Sequence, residues 1–493
     1  MVERAPKQIT YQRHKPEETT LYKLVQAHWR SFQRQVEVDT GHALPDFVIK
    51  EFEEYLRCGI LAHGFVRAQC EQCHHETLVA YSCKRRGFCP SCGTRRMVDT
   101  AAHLVDSVLP HKNIRQWVVT FPVPVRMVLA IRPKLMARAL DIAINSINAY
   151  YRKKANLRKE NSKTGAVTLI QKFGGALNVN VHFHVLVIDG VYELGPDKAP
   201  GTFHNSSPPT IEELEKVLSQ IILKITRQLE RMGIIIKDDA EGQALQLAID
   251  DADAFSRLQA SSATYRFATG PRKGQKAYTL KSIPDADHKS KKGLVAESSG
   301  FSIHAGVSCQ ASERDKLERV ARYIARPAVS EERLSTNSAG EVVYKFKRPW
   351  DDGTTALILK PMEFIERLVA LVPRPRVHLT RFHGVLAPHY KYRKDIVPKP
   401  AANLAVVDDE ADSDADKPKA MNWARRLARV YIDNTCPHCQ GRVRIIAAIE
   451  DPAVIKKILE HLGLPTSAPR FHPARGPPAT PLDEYAQTSS HHD

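Results

Sequence analysis

The segment Asn178-Val-Asn-Val-His-Phe-His-Val-Leu-Val-Ile188 constrains this chain more than any other. Read with the two-residue period of a β-strand, one face carries Val179, Val181, Phe183, Val185 and Val187. The other carries Asn178, Asn180, His182, His184 and Leu186. Five apolar side chains in register must meet a core, and a slip of one residue would turn all of them to water. Both histidines are thereby forced side by side onto the opposite face. Two imidazoles so placed can share a metal ion. With a third ligand and open water positions, such an ion polarises a phosphate oxygen. A hydrogen-bonded histidine pair on a polar sheet face satisfies the same pattern, and the motif alone does not separate the two.

Cysteine spacing is the second constraint. Cys70-x2-Cys73 and Cys89-x2-Cys92 have the spacing of a four-thiolate zinc site, each turn aiming two sulfurs at one point. These four are the expected ligands of a structural Zn2+, which contributes folding energy and no catalysis because every position is filled. Cys58 and Cys83 are spares in the same region, so an exchanged ligand stays open. Cys436-Pro-His-Cys439 is a lone pair with His438 and His461 nearby, for which zinc and simple packing both stay open. Lys84, Arg85, Arg86, Arg95 and Arg96 lie within Cys83–Met97 with no acid among them, and Tyr81 and Phe88 interleave. Guanidinium groups beside aromatics suit phosphate contact and base stacking. The whole chain agrees: 72 Lys and Arg against 55 Asp and Glu give +17 and a pI near 9.4. Such an excess attracts polyanions, DNA first. The N-terminus lacks the apolar run of a signal peptide, and no stretch reaches the roughly 18 apolar residues that cross a bilayer. A cytoplasmic protein without a membrane partner is the expectation. In that reducing compartment, spaced cysteines mean metal more often than disulfides.

From Ser312 to Ile324, Leu317, Val320, Ala321 and Ile324 form the buried stripe of a helix. Tyr323 falls about 110° from the centre of that stripe, with Arg319, Arg322 and Arg326 on the same outward side. A phenol among guanidiniums is placed to meet a phosphate; an exposed helical tyrosine is the alternative. Phe301–Cys309 alternates as a strand with Ser302, His304 and Gly306 on its polar face. The helix bearing Tyr323 begins a few residues later, so connectivity brings His304 near it. His304 is the expected third metal ligand, with a structural hydrogen bond as its alternative. The segment holding Arg376, His378, Arg381, His383, His389, Lys391 and Arg393 reads either as phosphate-binding, through Arg381 and His383, or as a solvated basic loop.

The chain divides into an N-terminal helical segment (1–57), a zinc-binding domain (58–98), a catalytic domain (99–397), an acidic linker (398–420), a small C-terminal unit (421–464) and a tail (465–493). The fold class expected is α+β: an antiparallel sheet with helices packed on the valine face, behind a helical and zinc-binding N-terminal module. The segments CEQCHHETLVAYSCKRRGFCPSCGTRRM, NVNVHFHVLVIDGVY, GFSIHAGV, RYIARP and VHLTRFHGVLAPHYKYR together resemble the HUH tyrosine transposases of rolling-circle insertion sequences, with their N-terminal transposase zinc-binding domain. The resemblance runs from about Cys58 to Arg393. It implies an HUH-type sheet, Tyr323 as nucleophile forming a 5′-phosphotyrosine, and His182 and His184 as ligands of Mg2+ or Mn2+. The substrate it implies is single-stranded or melted DNA at an element's ends. Where some members carry a second tyrosine four residues earlier, this chain has Arg319, so it resembles the single-tyrosine subgroup. One tyrosine must then be reused, or the second protomer of a homodimer must help. A replication initiator or a relaxase would use the same strand and tyrosine. A non-catalytic zinc-dependent DNA-binding regulator would bind without cutting.

Overall fold

The alternating segment forms β6 (Val179–Ile188) near the middle of a six-stranded antiparallel sheet. The strand order is β12 (Val295–Ser298), β13 (Phe301–Cys309), β3 (Ile114–Thr120), β6, β5 (Gly165–Phe173) and β17 (Thr380–Gly384). Val179, Val181, Phe183, Val185 and Val187 are completely buried. They pack with α4 (Val123–Ile131), α5 (Pro133–Lys154), α6 (Ile211–Arg231) and α7 (Ala254–Ala263) in the main core. Burying each of these side chains is worth about 1.5–3 kcal/mol, so five in register hold β6 against any slip. A polar chain crosses the same core. Trp117 Nε1 donates to the Tyr151 hydroxyl, which donates to Asp189, and Asp189 also pairs with the buried Arg115 at 2.7 Å. This computed structural model describes residues 14–238, 242–245, 253–281, 293–350, 352–399, 436, 438–439, 441–470 and 472–474. The acidic linker from residue 400 onward, the first part of the C-terminal unit and the end of the tail lie outside the described residues.

Helices cover both faces of the sheet, not the valine face alone. Leu186 and Ile188 end the histidine face as apolar residues and need their own cover. That cover is α3 (Pro90–Ser107) and α8 (Arg314–Ala325), which pack over them with Val167 and Leu169. Within the expected N-terminal helical segment lie α1 (Thr20–Thr40) and α2 (Asp46–Tyr55), broken where Gly41 takes a left-handed φ of 71° as C-cap and Pro45 caps the next helix. Pro122 and Pro124 lead from β3 into α4. They sit at the start of α4, where a missing N–H costs nothing.

A second core joins α1 and α2 to α7, α9 (Pro361–Leu371) and a sheet of β11 (Tyr278–Lys281), β16 (Thr354–Leu359), β15 (Val342–Lys345) and β14 (Leu334–Thr336). Smaller sheets pair β4 (Ser162–Lys163), β7 (Gly190–Leu194) and β8 (Pro200–Asn205), and β9 (Ile235–Asp238) with β10 (Gly242–Leu245). The N-terminal module carries β1 (Phe65–Cys70) and β2 (Glu76–Ala80). Its third strand is β18 (Val443–Ile449), from the far end of the chain. There α10 (Pro452–His461) buries Ile455 and Leu459 against Leu61 and Phe65. The described part of the segment 421–464 is thus laid on the zinc module. Among the described residues no helix is long and apolar enough to cross a membrane.

Candidate functional site

Residues paired across antiparallel strands share a face, so the register maps the histidine face in rows. One row is Ser302–Thr120–His182–Gln171 and the next is His304–Val118–His184–Leu169–Thr380. The His182 and His184 rings lie 4.9 Å apart. His182 Nδ1 donates to the Asn180 carbonyl at 2.9 Å, which leaves Nε2 outward. His184 Nδ1 is pinned by the Gln116 side-chain amide at 2.8 Å, which orients that ring the same way. Burial pushes the two imidazoles down to about 4 and about 3, with the Arg326 charge acting in the same direction on both. Both are therefore neutral near pH 7, the form that binds metal.

His304 shares a row with His184, but β3 stands between them. Two strand spacings put them roughly 9–10 Å apart. Among the described residues, the groups of three or more His, Cys, Asp or Glu with ligand atoms within 4.8 Å of one another are two cysteine clusters, and neither contains a histidine. The structure therefore does not bring His304 to the pair. Chain connectivity suggested closeness, but the strand order inserts β3. A different donor lies on the same face: Asn180, one pleat from His182, has a buried Oδ1 with no hydrogen-bond partner among the described residues. Two imidazole nitrogens and one amide oxygen fit a divalent ion of intermediate hardness, and a buried orphan oxygen is what such an ion would satisfy.

Tyr323 stands on α8 with 48% of its surface exposed, while Leu317, Ala321 and Ile324 are buried. Two contacts tie its end of the helix to the histidine row. Gln171, the cross-strand partner of His182, donates from Nε2 to the Ile324 carbonyl at 2.8 Å. Arg326 lies 4.7 Å over the Tyr323 ring, and it is the same guanidinium that acts on His182 and His184. Lys347 covers the ring at 5.2 Å. Arg322 is held by Glu318 at 2.7 Å, and Arg319 is exposed. Beside Tyr323 opens a cavity of about 270 Å3 lined by Arg326, Arg333, Lys347, Arg348, Phe346 and Trp350, with no acid among its lining residues. Phe346 and Trp350 stack there at 4.9 Å. The sequence reading missed these groups, although the basic-aromatic run Lys345-Phe-Lys-Arg-Pro-Trp350 carried the signal.

The four cysteines read as one zinc site are divided between two. Cys89 and Cys92 gather with Cys58 and Cys83; Cys70 and Cys73 gather with Cys436 and Cys439. The spacing identified turns that aim sulfur pairs, but not which pairs meet. In the first cluster sulfur separations of 3.4–3.7 Å approach the roughly 3.8 Å edge of a tetrahedron built on Zn–S bonds of about 2.3 Å. The Cys83 N–H also donates to Cys58 Sγ at 3.3 Å. The residues fit Zn2+.

This cluster presents the loop 83–89 to the histidine face, where it lines a cavity with Gln171 and Leu169. Behind it α3 approaches the end of the tyrosine helix closely: a Cβ on Gly93 would meet Pro327 Cβ at 2.6 Å. Arg85, Arg86 and Arg96 line a cavity of about 400 Å3 together with Lys172, Gln171 and Arg326, again with no acid among the lining residues. Their freedom differs. Arg85 forms a bidentate pair with Glu54, with Nε–Oε2 at 2.6 Å. Arg86 donates to the Val377 and Arg374 carbonyls, and Arg96 to those of Lys84 and Arg85. Arg95 is exposed beside Ser82. Arg381 and His383 pair with Thr168 and Ala166, which places them on the valine side of the sheet, opposite His182 and His184. His383 Nε2 meets Thr168 Oγ1 at 3.0 Å. That segment does not complete the histidine face; Thr380 and Phe382 are its residues there.

Two family models match the chain. Residues 165–394 match the family described as Putative transposase, which takes in both histidines and Tyr323. Residues 24–121 match the Transposase zinc-binding domain, which takes in the whole first cysteine cluster and Cys70 and Cys73 of the second. Cys436 and Cys439 lie outside both spans. No curated protein and no solved structure matches.

Proposed function

For a chain whose two matched spans are both those of transposases, we propose a DNA strand transferase that nicks single-stranded DNA through Tyr323. The Tyr323 oxygen attacks the scissile phosphorus and gives up its proton. The bond from phosphorus to the 3′ oxygen breaks, and that oxygen leaves as a 3′-hydroxyl. The 5′ end of the downstream strand stays on the protein as a phosphotyrosine. An incoming 3′-hydroxyl reverses the step, so strands rejoin without ATP. The observation that carries this reading is Arg326, which covers the Tyr323 ring and acts on both histidines. One guanidinium thus ties the nucleophile to the metal-binding pair.

His182, His184 and Asn180 are the groups that would hold Mg2+ or Mn2+, which when bound supplies polarisation of a non-bridging phosphate oxygen. Arg326, Lys347 and Arg348 hold the phosphates of the strand, and Trp350 with Phe346 offers a stacking surface to an unpaired base. His304 stands at the margin of that face. With one tyrosine in place, a homodimer would bring a second nucleophile to the partner strand. In this reading the N-terminal helices and zinc module grip DNA, and residues 99–397 carry the chemistry. A labelled single-stranded oligonucleotide of an element end, incubated with Mn2+, should give a protein–DNA adduct that survives denaturation. DNA bound tightly but never cut would instead support a zinc-dependent regulator.

A further inference from the structure

We propose that Cys70, Cys73, Cys436 and Cys439 form a second structural zinc site, a clasp that fastens the C-terminal segment to the N-terminal module. Two turns of the same build face each other. In the first, the Cys70 N–H donates to the His75 carbonyl at 2.9 Å and the Gln72 N–H donates to Cys70 Sγ at 3.4 Å. In the second, the Cys436 N–H donates to the Gly441 carbonyl at 2.8 Å and the His438 N–H donates to Cys436 Sγ at 3.4 Å. Each bonded pair is offset identically, five residues for the backbone bond and two for the N–H to sulfur. N–H groups aimed at sulfur stabilise thiolate, the form that binds metal.

The sulfurs interlock across the two turns. Cys70 lies 3.4 Å from Cys439, and Cys73 lies 3.4 Å from Cys436. These separations exceed the roughly 2.05 Å of a disulfide and approach the roughly 3.8 Å expected between thiolates on one zinc. Gly441 is cut to fit. A Cβ there would meet Gln72 Oε1 at 2.6 Å and Cys70 Sγ at 3.0 Å. The Glu71 N–H also donates to the Arg442 carbonyl, and β18 continues antiparallel along β1 from Cys70 opposite Val443. Residues 363 and 369 positions apart are thereby joined at one point. Besides the metal, the described contacts of this segment include edge pairing with β1, a small apolar contact in which α10 buries Ile455 and Leu459, and a bond from Gln26 Nε2 to the Arg470 carbonyl beyond it.

The test does not depend on the chemistry at Tyr323. Purified full-length protein should contain two zinc ions per chain by elemental analysis. Cys439→Ser should reduce this to one, and Cys439→His, which keeps a ligand, should hold two. Limited proteolysis should release a fragment containing 443–464 at least tenfold faster from Cys439→Ser than from wild type. Thermal unfolding of the remaining chain should stay cooperative. Gly441→Val, which leaves every thiol in place, should also lose the second zinc. One zinc per chain in wild type, two in Cys439→Ser, or Cys70–Cys439 and Cys73–Cys436 disulfides recovered from protein denatured under a thiol block would each overturn the clasp.

Discussion

The Tyr323 hydroxyl is an atom whose removal should separate chemistry from binding, because half the side chain is already in solvent and its ring contacts survive in phenylalanine. Tyr323→Phe should lower nicking on the order of 10^4-fold or more and leave no covalent adduct on a denaturing gel, with DNA affinity within about twofold. An adduct that persisted would move the nucleophile to another tyrosine. Gln171 does a different job: it places the end of α8 beside His182. Gln171→Leu leaves the Ile324 carbonyl without its partner, a loss of about 1–3 kcal/mol in urea unfolding. Nicking should then fall further than DNA binding. Unchanged nicking would mean that α8 is set by packing alone. Single residues were unevenly legible in the sequence. The facing of His182 and His184 followed from the period of a strand, and the outward Tyr323 from that of a helix. Asn180 and Gln171 were not readable as site residues, since an orphaned oxygen and a cross-strand neighbour exist only once the sheet is assembled.

Elements read well where one periodicity ruled and poorly where partners had to be chosen. β6 and α8 follow from alternation and from an apolar stripe, whereas β13 alternates only as far as the register shift after His304, beyond which Val307 and Cys309 turn to the histidine face. Pro122 and Pro124 fit the N-cap and first turn of α4. Strand order was beyond reach, and His304 shows the result: its strand was recognised and its distance from His184 was not. The central sheet also carries the buried Arg115–Asp189 pair. Asp189→Ala leaves a guanidinium in the core without its carboxylate and should cost about 3–5 kcal/mol in denaturant unfolding. A loss below 1 kcal/mol would mean that the Ala305 carbonyl, its other acceptor, suffices. On β17, burial pushes His383 down to about 4. In the unfolded chain it titrates near 6.5, so between these values the unfolded state binds more protons. His383 therefore supports stability fully above about pH 6.5, and this is lost as pH falls toward 4. The urea midpoint should drop between pH 7 and pH 5, and by less in His383→Gln. Equal drops in the two proteins would remove His383 from the account.

Across the whole molecule, a charge of +17 does not spread its effect evenly. Arg326 and Arg348 face cavities with no acid among their described lining residues, whereas Arg85 is paired with Glu54. Arg326→Ala and Arg348→Ala should each lower the salt slope of DNA binding by about one, and Arg85→Ala by clearly less. Equal slopes for all three would place the DNA path elsewhere. The sequence showed that the chain is basic and where its cysteine turns lie. It did not show that the zinc module and the segment 443–464 are neighbours, because nothing local in Cys436-Pro-His-Cys439 says which other turn it faces. That neighbourhood has a consequence during synthesis. The module at the start of the chain emerges from the ribosome hundreds of residues before its third strand and its last two thiolates. A transcript cut short after the catalytic domain would encode Tyr323 and both histidines intact, yet leave Cys70 and Cys73 without their counterparts. Completion of the proposed clasp would thus report that translation has run past Cys439, and truncated gene copies would make proteins that carry Tyr323 behind an unfinished zinc module.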